Sequence, residues 1–330
     1  MGRIMNLNSI AAKYADVDAA REFFEKQRWP DGAVCPFCGL VGESYRLKAK
    51  PDSKSPVRAG VWKCGGCRKQ FTVTKGTIFE DSHIPLNTWL MAIHLICASK
   101  KGMSAHQLHR MLGVTYKSAW FMVHRLRYAA AQDPMAAQLS GIVEMDETYI
   151  GGKRRKSERP KKAKKGEQPP DNPYILADKQ AVLAMLERGG DVRSHHITTR
   201  VNAANLRPVI QHHVEYGARI MTDSGTVLHG AIHPRKHDQV NHSAEEYGRY
   251  ERGVCISTNT VEGYFSILKR GIFGTYHHVG SQHLHRYLSE FDFRYNTRKI
   301  TDGERSCRLI GKVSGKRLMY KELVPERPKF

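Results

Sequence analysis

Apolar residues between positions 84 and 130 recur at the three- and four-residue spacing of helices that bury one face. The pattern predicts three helices, in the stretches IPLNTWLMAIHLICASK, GMSAHQLHRMLGV and TYKSAWFMVHRLRYAAA. A short turn around Gly113 separates the last two helices, as in a helix-turn-helix, whose second helix enters a major groove. We therefore predict a helix-turn-helix region over residues 84–132, with an ordinary three-helix bundle as the alternative.

From residue 141 the pattern becomes mixed. Strands are predicted in GIVEMDETYIGG, on both sides of the Gly-Gly-Asp turn in QAVLAMLERGGDVRSHHITTR, and in ARIMTDSG. Helices are predicted in NAANLRPVIQHHV, over residues 259–270, and in SQHLHRYLSEFDFRYNTRK. Strands followed by helices in this order predict an α/β layer domain over residues 141–300. Residues 1–29 are predicted to form a helical segment, and residues 301–330 a C-terminal tail.

One stretch interrupts the α/β domain. Residues 153–174, KRRKSERPKKAKKGEQPPDNPY, hold too few apolar side chains to form a packed core. Nine basic side chains and one acidic side chain lie within residues 153–165. We predict a disordered basic insertion that contacts DNA phosphates, Lys153, Arg154 and Arg155 among them, with a plain solvated linker as the alternative.

The charge of the whole chain favours a polyanionic partner. The 330 residues include 53 Lys plus Arg against 32 Asp plus Glu, a formal net charge of +21 and a pI near 9.7. Such a chain is attracted to nucleic acid through counterion release, although a merely basic surface has the same composition. No apolar run approaches the roughly 20 residues of a membrane span, and the first thirty residues carry charges. These features predict a cytoplasmic, nucleoid-associated protein without a membrane segment.

Because the chain is strongly basic, the second helix of the helix-turn-helix is expected to contact DNA. Its first residues, Tyr116, Lys117 and Ser118, would face bases or phosphates, and Arg125 and Arg127 would lie on or near the DNA backbone.

Four of the seven cysteines occur in two Cys-x-x-Cys pairs, Cys35 with Cys38 and Cys64 with Cys67. Two such turns can offer four thiolates to one tetrahedral zinc ion, which predicts a zinc ribbon over residues 30–80. A redox pair or a chance pairing is the alternative. The other three cysteines are isolated in the sequence and are expected to be small core residues.

The predicted helix TNTVEGYFSILKRG carries polar side chains beside its apolar stripe. Glu262 and Lys269 are two turns apart on a neighbouring face, with Asn259 roughly in line. Asn259 followed three residues later by Glu262 is also a capping-box pattern, in which both side chains would only satisfy free amides at the helix start. The helix alone does not separate these interpretations.

Acidic residues at the ends of two predicted strands suggest metal-assisted chemistry. Phosphodiester cleavage often uses two divalent ions about 4 Å apart, and such ions need carboxylates from different elements. The first strand offers Glu144 and Asp146 on one face and Glu147 on the other, and spacing alone does not choose between them. Asp223 ends another strand, where it fits a ligand-binding sheet edge, but an Asp there also commonly nucleates a turn.

Five stretches of the chain together carry a family resemblance. VEMDETYIGGK, IMTDSG, VNHSAEEYG, NTVEGYFSILKRGIFGTYHHV and HRYLSEFDFRYNTRK resemble the bacterial insertion-sequence transposases of the fifteen-ninety-five family. The similarity runs from Cys35 to about Lys299. It implies a multidomain α/β protein: an N-terminal zinc ribbon, a helix-turn-helix region and a ribonuclease H-like catalytic domain of the DDE type. The catalytic sheet would have about five strands flanked by helices.

The resemblance also implies roles for individual residues. Asp146, Asp223 and Glu262 would bind Mg²⁺ or Mn²⁺, and the four cysteines would bind structural Zn²⁺. Asn259 is an alternative third catalytic position, although a carboxylate holds a hard cation more strongly than an amide does. Lys269, with Arg270 beside it, would grip a DNA phosphate near the cleavage site.

The implied activity is metal-dependent cleavage at the terminal inverted repeats of the element, followed by strand transfer into target DNA. Double-stranded DNA and further copies of the chain, assembled on that DNA, would be the partners. Two other functions compete with this one: a catalytically idle, sequence-specific DNA-binding protein, and a metal-dependent nuclease that cuts without joining.

Overall fold

The computed structural model describes residues 6–48, 57–133, 135–151, 179–241 and 244–324. The basic insertion of residues 153–174, with Lys153, Arg154 and Arg155, lies outside the described residues. Within the described ranges, no helix has the length and apolarity needed to cross a membrane.

The helices and strands of the described residues are numbered here in chain order. The helices are α1 (Leu7–Lys13), α2 (Val17–Arg28), α3 (Leu86–Ala98), α4 (Ala105–Leu112), α5 (Tyr116–Ala130), α6 (Ala203–His213), α7 (Thr226–Ile232), α8 (Asn259–Gly271), α9 (Leu284–Asn296) and α10 (Asp302–Gly311). The strands are β1 (Ser44–Arg46), β2 (Trp62–Cys64), β3 (Gln70–Phe71), β4 (Ile142–Ile150), β5 (Gln180–Glu187), β6 (Val192–Ile197), β7 (Arg219–Asp223), β8 (His237–Val240), β9 (Arg249–Glu251) and β10 (Val254–Ile256).

The chain folds into two compact units. The first unit contains the residues up to Ala131 and those from Thr297 onward, and the second unit contains Gln132–Asn296. Within the first unit, α10 packs against α2 and α3, so the stretch after residue 300 forms part of a helical core. Its start is fixed by a capping box between Thr301 and Glu304.

Two structural motifs of the first unit follow directly from local sequence. Strands β1, β2 and β3 form an antiparallel sheet that carries the second cysteine pair at the end of β2. Helices α4 and α5 are joined by a short turn that begins at Gly113, whose φ of 65° is left-handed and suits glycine. Side chains of Ser104 and Thr115 cap the two helix starts. The three helices predicted between residues 84 and 130 are therefore all present.

The second unit is built on a five-stranded sheet in the order β6-β5-β4-β7-β8. Strand β4 runs antiparallel to β5 and parallel to β7, and β5 and β6 form the hairpin predicted at the Gly-Gly-Asp turn. Strands β8, β9 and β10 and helix α7 were not predicted, because they are only three to seven residues long.

Side chains on both faces of this sheet are buried. On β5, Leu183 and Met185 pack with α6 and α7 on one face, while Val182 and Ala184 pack with α8 and α9 on the other. This alternation follows from the two-residue period of a strand, and an almost continuous apolar run results because both faces are covered. The strand order, the strand directions and the flanking helices are those of a ribonuclease H-like domain, so the predicted fold class is confirmed.

Candidate active site and metal centre

The four paired cysteines come together in the first unit. Their sulfur atoms all lie within 4.8 Å of one another, and the Cys35–Cys67 and Cys38–Cys64 sulfur pairs are each 3.6 Å apart. Sulfur atoms around a tetrahedral zinc ion with Zn–S bonds of about 2.3 Å are separated by about 3.8 Å. All four thiols are free, so the donor set and its spacing fit one structural Zn²⁺.

Each cysteine pair is shaped by a tight turn that its sequence permits. In the first turn, the amide of Gly39 donates to the carbonyl of Cys35, and its φ of 77° is left-handed. In the second turn, a Cβ on Gly65 would lie 2.5 Å from the carbonyl oxygen of Glu43, a distance that no side chain tolerates. The amide of Cys67 lowers the pKa of the Cys64 thiol to about 6, which favours the thiolate form that binds zinc.

The two candidate catalytic aspartates lie on neighbouring parallel strands of the second unit. Glu144 of β4 pairs with Met221 of β7, and two residues further along these strands are Asp146 and Asp223. Asp223 is the last residue of β7, and its Oδ1 accepts a hydrogen bond of 3.0 Å from the amide of Gly225. It therefore shapes the turn after the strand and also places a carboxylate beside Asp146.

Burial and like charge act together on Asp146. Desolvation, followed by the nearby charge of Asp223, raises the pKa of Asp146 to about 7, and Glu262 contributes in the same direction. Glu147 is similar, because burial and the charge of Asp223 raise the pKa of its carboxyl. Its Oε2 atom is buried and accepts no hydrogen bond from any described residue. Four carboxyl groups thus share one region, and their charges disfavour one another.

Glu262 reaches the same region from α8. Helix α8 buries the predicted stripe of Val261, Tyr264, Phe265 and Leu268, which leaves Glu262 on an exposed face. Its carboxylate accepts a hydrogen bond of 3.0 Å from the hydroxyl of Thr258. Among the described residues, the four cysteines are the one group of three or more potential metal ligands that could share an ion, and the three acids do not form such a group in this structure.

The capping-box interpretation of Asn259 and Glu262 is wrong. The cap of α8 is Thr258, its side chain makes no capping hydrogen bond, and Asn259 is the first residue of the helix. The helix start is satisfied from outside instead, because Glu144 Oε2 accepts from the amides of Thr260 and Val261 at 2.8 and 3.0 Å. The side chain of Glu262 therefore does not cap the helix start, although the local sequence pattern suggested that it would.

Glu144 is the site residue whose role the sequence did not reveal. It is completely buried and lies two residues before Asp146 on the same face of β4. Its Oε1 accepts hydrogen bonds of 2.9 Å from the hydroxyl of Thr260 and from Nε of Arg188, and it forms an ion pair with Nη2 of Arg188 at 2.8 Å. Glu144 therefore caps the start of α8. Asp146 is the acid of β4 that faces Asp223.

The residues predicted to contact DNA have different positions in the structure. Tyr116 and Lys117 are exposed at the start of α5, where Tyr116 stacks on His106 at 4.2 Å and the Lys117 ammonium lies over the Tyr320 ring. Ser118 hydrogen-bonds with Thr115 at the cap of α5. Lys269 and Arg270 are both exposed on α8.

The prediction that Arg125 and Arg127 contact the DNA backbone is contradicted by their burial. They are only 6% and 3% exposed, and Arg125 donates to the carbonyl of Leu318 and lies over the Phe121 ring. Both side chains belong to the interior of the first unit, since the second half of α5 packs on all sides.

Two parts of the chain match known protein families. Residues 16–70 match the transposase zinc-ribbon domain, and residues 138–296 match the ISXO2-like transposase domain of the IS1595 type. An uncharacterised protein in the transposable element ISH50 of Halobacterium salinarum is 25% identical over 280 residues, which are 81% of this chain and 86% of that protein.

Two solved structures are also similar in part. A pre-cleavage Mos1 transpososome aligns with 64% of this chain and 78% of its own chain, at 12% identity and a TM-score of 0.18. The Mos1 strand transfer complex aligns with 65% and 78%, at 12% identity and a TM-score of 0.19.

The protein is thus a transposase with an N-terminal zinc ribbon and a ribonuclease H-like domain. It belongs to the IS1595 family of insertion-sequence transposases.

Zinc content provides a first test of this site. Protein purified without chelators should hold about one zinc per chain, and Cys64→Ser should lose it because three thiolates bind the ion far more weakly. Elemental analysis measures both. The matched control is Cys97→Ser, a buried cysteine outside the cluster, which should keep its zinc. A wild-type protein without zinc would contradict the assignment.

The raised pKa of Asp146 predicts the pH dependence of stability in protein freed of divalent ions. Its folded pKa of about 7 lies above the unfolded value of about 3.9, so the folded state binds more protons and stability falls as pH rises between these values. Asp146→Asn should therefore raise the free energy of unfolding at pH 8 by about 1–3 kcal/mol and change it little at pH 4.

Urea denaturation at the two pH values measures this difference. Asp191→Asn, an exposed residue in the β5–β6 turn, is the matched control and should behave as wild type at both. The same loss of stability with pH in Asp146→Asn and wild type would contradict the assigned cause.

Proposed function

We propose that this protein is a DDE-type transposase that binds the terminal inverted repeats of its element, cleaves there and joins the ends to target DNA. The observation that supports this most directly is the electrostatic interaction of three acids from separate elements. Asp146 and Asp223 lie on adjacent parallel strands, and the charge of Glu262 on α8 acts on Asp146. All three acids lie in the domain that matches the family.

The acids present fit divalent ions. Burial, followed by the charge of Asp223, raises the pKa of Asp146, and a bound cation relieves the repulsion between the two carboxylates. Asp146, Asp223 and Glu262 would hold Mg²⁺ or Mn²⁺, because these hard ions prefer carboxylate oxygens. Asn259 lies three residues before Glu262, on the same side of α8, and its amide is an additional neutral ligand. When bound, the ions would polarise the phosphate and activate the attacking oxygen.

The chemistry consists of two substitutions at phosphorus. In the first, a water oxygen bonds to the phosphorus at the element end, and the 3′ oxygen leaves and takes up a proton. In the second, that 3′-hydroxyl oxygen bonds to a target phosphorus, and the target 3′ oxygen leaves. One phosphodiester bond forms for each one broken in the second step, so strand transfer needs no energy source and no covalent enzyme intermediate.

Exposed basic residues would hold the DNA for this chemistry. Lys269 lies seven residues after Glu262 on α8, so both side chains point to the same side of the helix about 10 Å apart along its axis. Lys269 and the adjacent Arg270 would contact phosphates near the cleaved bond. Tyr116, Lys117 and Ser118 would contact the terminal repeat from the start of α5. Joining two ends in one event further implies that several copies assemble on the DNA.

A strand-transfer assay tests the proposed function. Wild-type protein with Mg²⁺ or Mn²⁺, DNA from the flanks of the source gene and a labelled target should give joined products. Asp223→Ala and Glu262→Gln should each lower the yield at least a hundredfold while DNA binding persists, because each removes a charged metal ligand. Glu251→Gln is the matched control, since Glu251 is an exposed acid of the same unit.

Three outcomes would contradict parts of the proposal. Binding without cutting by the wild type would favour an idle DNA-binding protein. Cutting without joining would indicate a nuclease. Full activity in Glu262→Gln would exclude Glu262 as the third acid and turn attention to Asn259.

Salt dependence tests the predicted contact of α5 with DNA. Lys117→Ala should weaken binding to terminal-repeat DNA and lower the slope of log affinity against log salt by about 1, because one phosphate contact is lost. Fluorescence anisotropy over a salt series measures the slope. Lys13→Ala, an exposed lysine on α1, should leave the slope unchanged. Equal slopes for Lys117→Ala and wild type would exclude a phosphate contact at Lys117.

A further inference from the structure

An ion pair lies two residues from Asp146 along β4. It consists of Glu144 on β4 and Arg188, which follows the last residue of β5. Glu144 is fully buried, which is unusual for a carboxylate unless it is charged and completely paired. Neither residue is among the metal ligands of the proposed function.

The Glu144 carboxylate joins β4 to the start of α8. Its Oε2 accepts from two consecutive helix amides, those of Thr260 and Val261, and its Oε1 accepts from the Thr260 hydroxyl. The first amides of a helix have no partner within the helix, and a negative charge there is favoured by the helix dipole. A strand residue thus provides the N-terminal capping that the sequence of α8 does not supply.

The Arg188 guanidinium extends this connection to the segment before the helix. Besides Glu144, it donates to the carbonyl of Cys255 at 2.6 Å and to the carbonyl of Ser257 at 3.2 Å. Arg188 is also tied to β4 through its own amide, which donates to the carbonyl of Ile142 at 2.9 Å. Residues 255–261 are therefore fixed to the sheet by polar contacts made to two side chains.

These contacts lie close in sequence to the proposed metal ligands, both on β4 and on α8. Asp146 lies two residues after Glu144 on the same face of β4, and Glu262 immediately follows Val261. The hydrogen bonds of one carboxylate therefore connect the two elements that carry these acids. By contrast, the hydrophobic contacts of α8 begin at Val261 and continue away from the acids, through Tyr264, Phe265 and Leu268.

We propose that Glu144 and Arg188 are positioning residues, which anchor the N-terminal turn of α8 to β4 and so keep Glu262 within reach of the site that Asp146 and Asp223 would form. This inference rests on the proposed function, because it assigns the pair a role toward the metal site of that function. The pair would act through the N-terminal turn of α8, which Glu144 contacts at Thr260 and Val261. A geometry set by such supporting contacts is sensitive to displacements of well under 1 Å.

The test compares Glu144→Gln with wild type in the full-length protein. The Gln amide can accept on one side only, so its NH₂ group faces either the helix amides or the guanidinium, all of which are donors. Mn²⁺ affinity, measured by electron paramagnetic resonance without DNA, should weaken at least tenfold. Hydrogen exchange at the amides of Thr260 and Val261, measured without metal, should accelerate at least tenfold.

Two further variants keep the test decisive. Thr260→Val removes only the hydroxyl that donates to Glu144, so it should fold even if Glu144→Gln does not, and it should weaken Mn²⁺ binding severalfold. Tyr264→Phe is the matched control on the same helix, because it removes a buried hydroxyl that donates to Asp292 at 2.7 Å and makes no contact with Glu144. It should lower stability and leave Mn²⁺ affinity unchanged.

The outcomes separate this inference from the function on which it rests. Unchanged Mn²⁺ affinity in Glu144→Gln and Thr260→Val, or an equal loss in Tyr264→Phe, would overturn the positioning role. Wild-type protein that binds Mn²⁺ no better than Asp223→Ala would overturn the proposed metal site itself. Amide exchange needs no metal, so unchanged exchange at Thr260 and Val261 in Glu144→Gln would overturn the inference even in that case.

Discussion

Carboxylates gathered at one edge of a sheet repel one another, and the second unit of this transposase is organised around that repulsion. The charges of Asp223 and Glu262, together with burial, hold the Asp146 carboxyl at a pKa of about 7. A protein that evolved for stability alone would separate such groups, because each charge disfavours its neighbours. Such a cluster in the domain that matches the family is physically reasonable where a cation offsets the negative charge.

Glu144, two residues before Asp146, shows how differently a second carboxylate behaves on the same strand. Glu144 is fully buried, but it receives four hydrogen bonds, from two amides, a hydroxyl and a guanidinium, and it forms an ion pair with that guanidinium. Its charge is therefore balanced within the protein and needs no ion. Strand β4 thus carries Glu144, whose hydrogen bonding is complete, and Asp146, whose hydrogen bonding is incomplete. Only Asp146 is suited to exchange ligands during a reaction.

Much of the architecture could be predicted because local sequence determines it. The cysteine spacing, the glycine turn before α5, the β5–β6 hairpin and the apolar stripe of α8 each act over a few residues. The role of Glu144 could not be predicted, since three acids within four positions of β4 differ only in what the fold places opposite them. The capping-box interpretation of Asn259 and Glu262 failed for a related reason, because the distant carboxylate of Glu144 satisfies the helix start. Arg125 and Arg127 were misassigned because charge was taken as a sign of exposure, whereas their aliphatic portions and guanidinium groups are enclosed by the first unit.

The return of the chain to the first unit after Asn296 has a consequence for how the protein is made. Helix α10 packs on α2 and α3, yet more than 200 residues separate it from them in sequence. During synthesis, the ribbon and helices α3 to α5 emerge from the ribosome long before α10, which packs against α2 and α3. The first unit therefore reaches its full set of contacts only after the second unit has been synthesised. A transposase built in this way couples the maturation of its N-terminal segments to completion of the whole polypeptide, so fragments from interrupted translation lack the finished core.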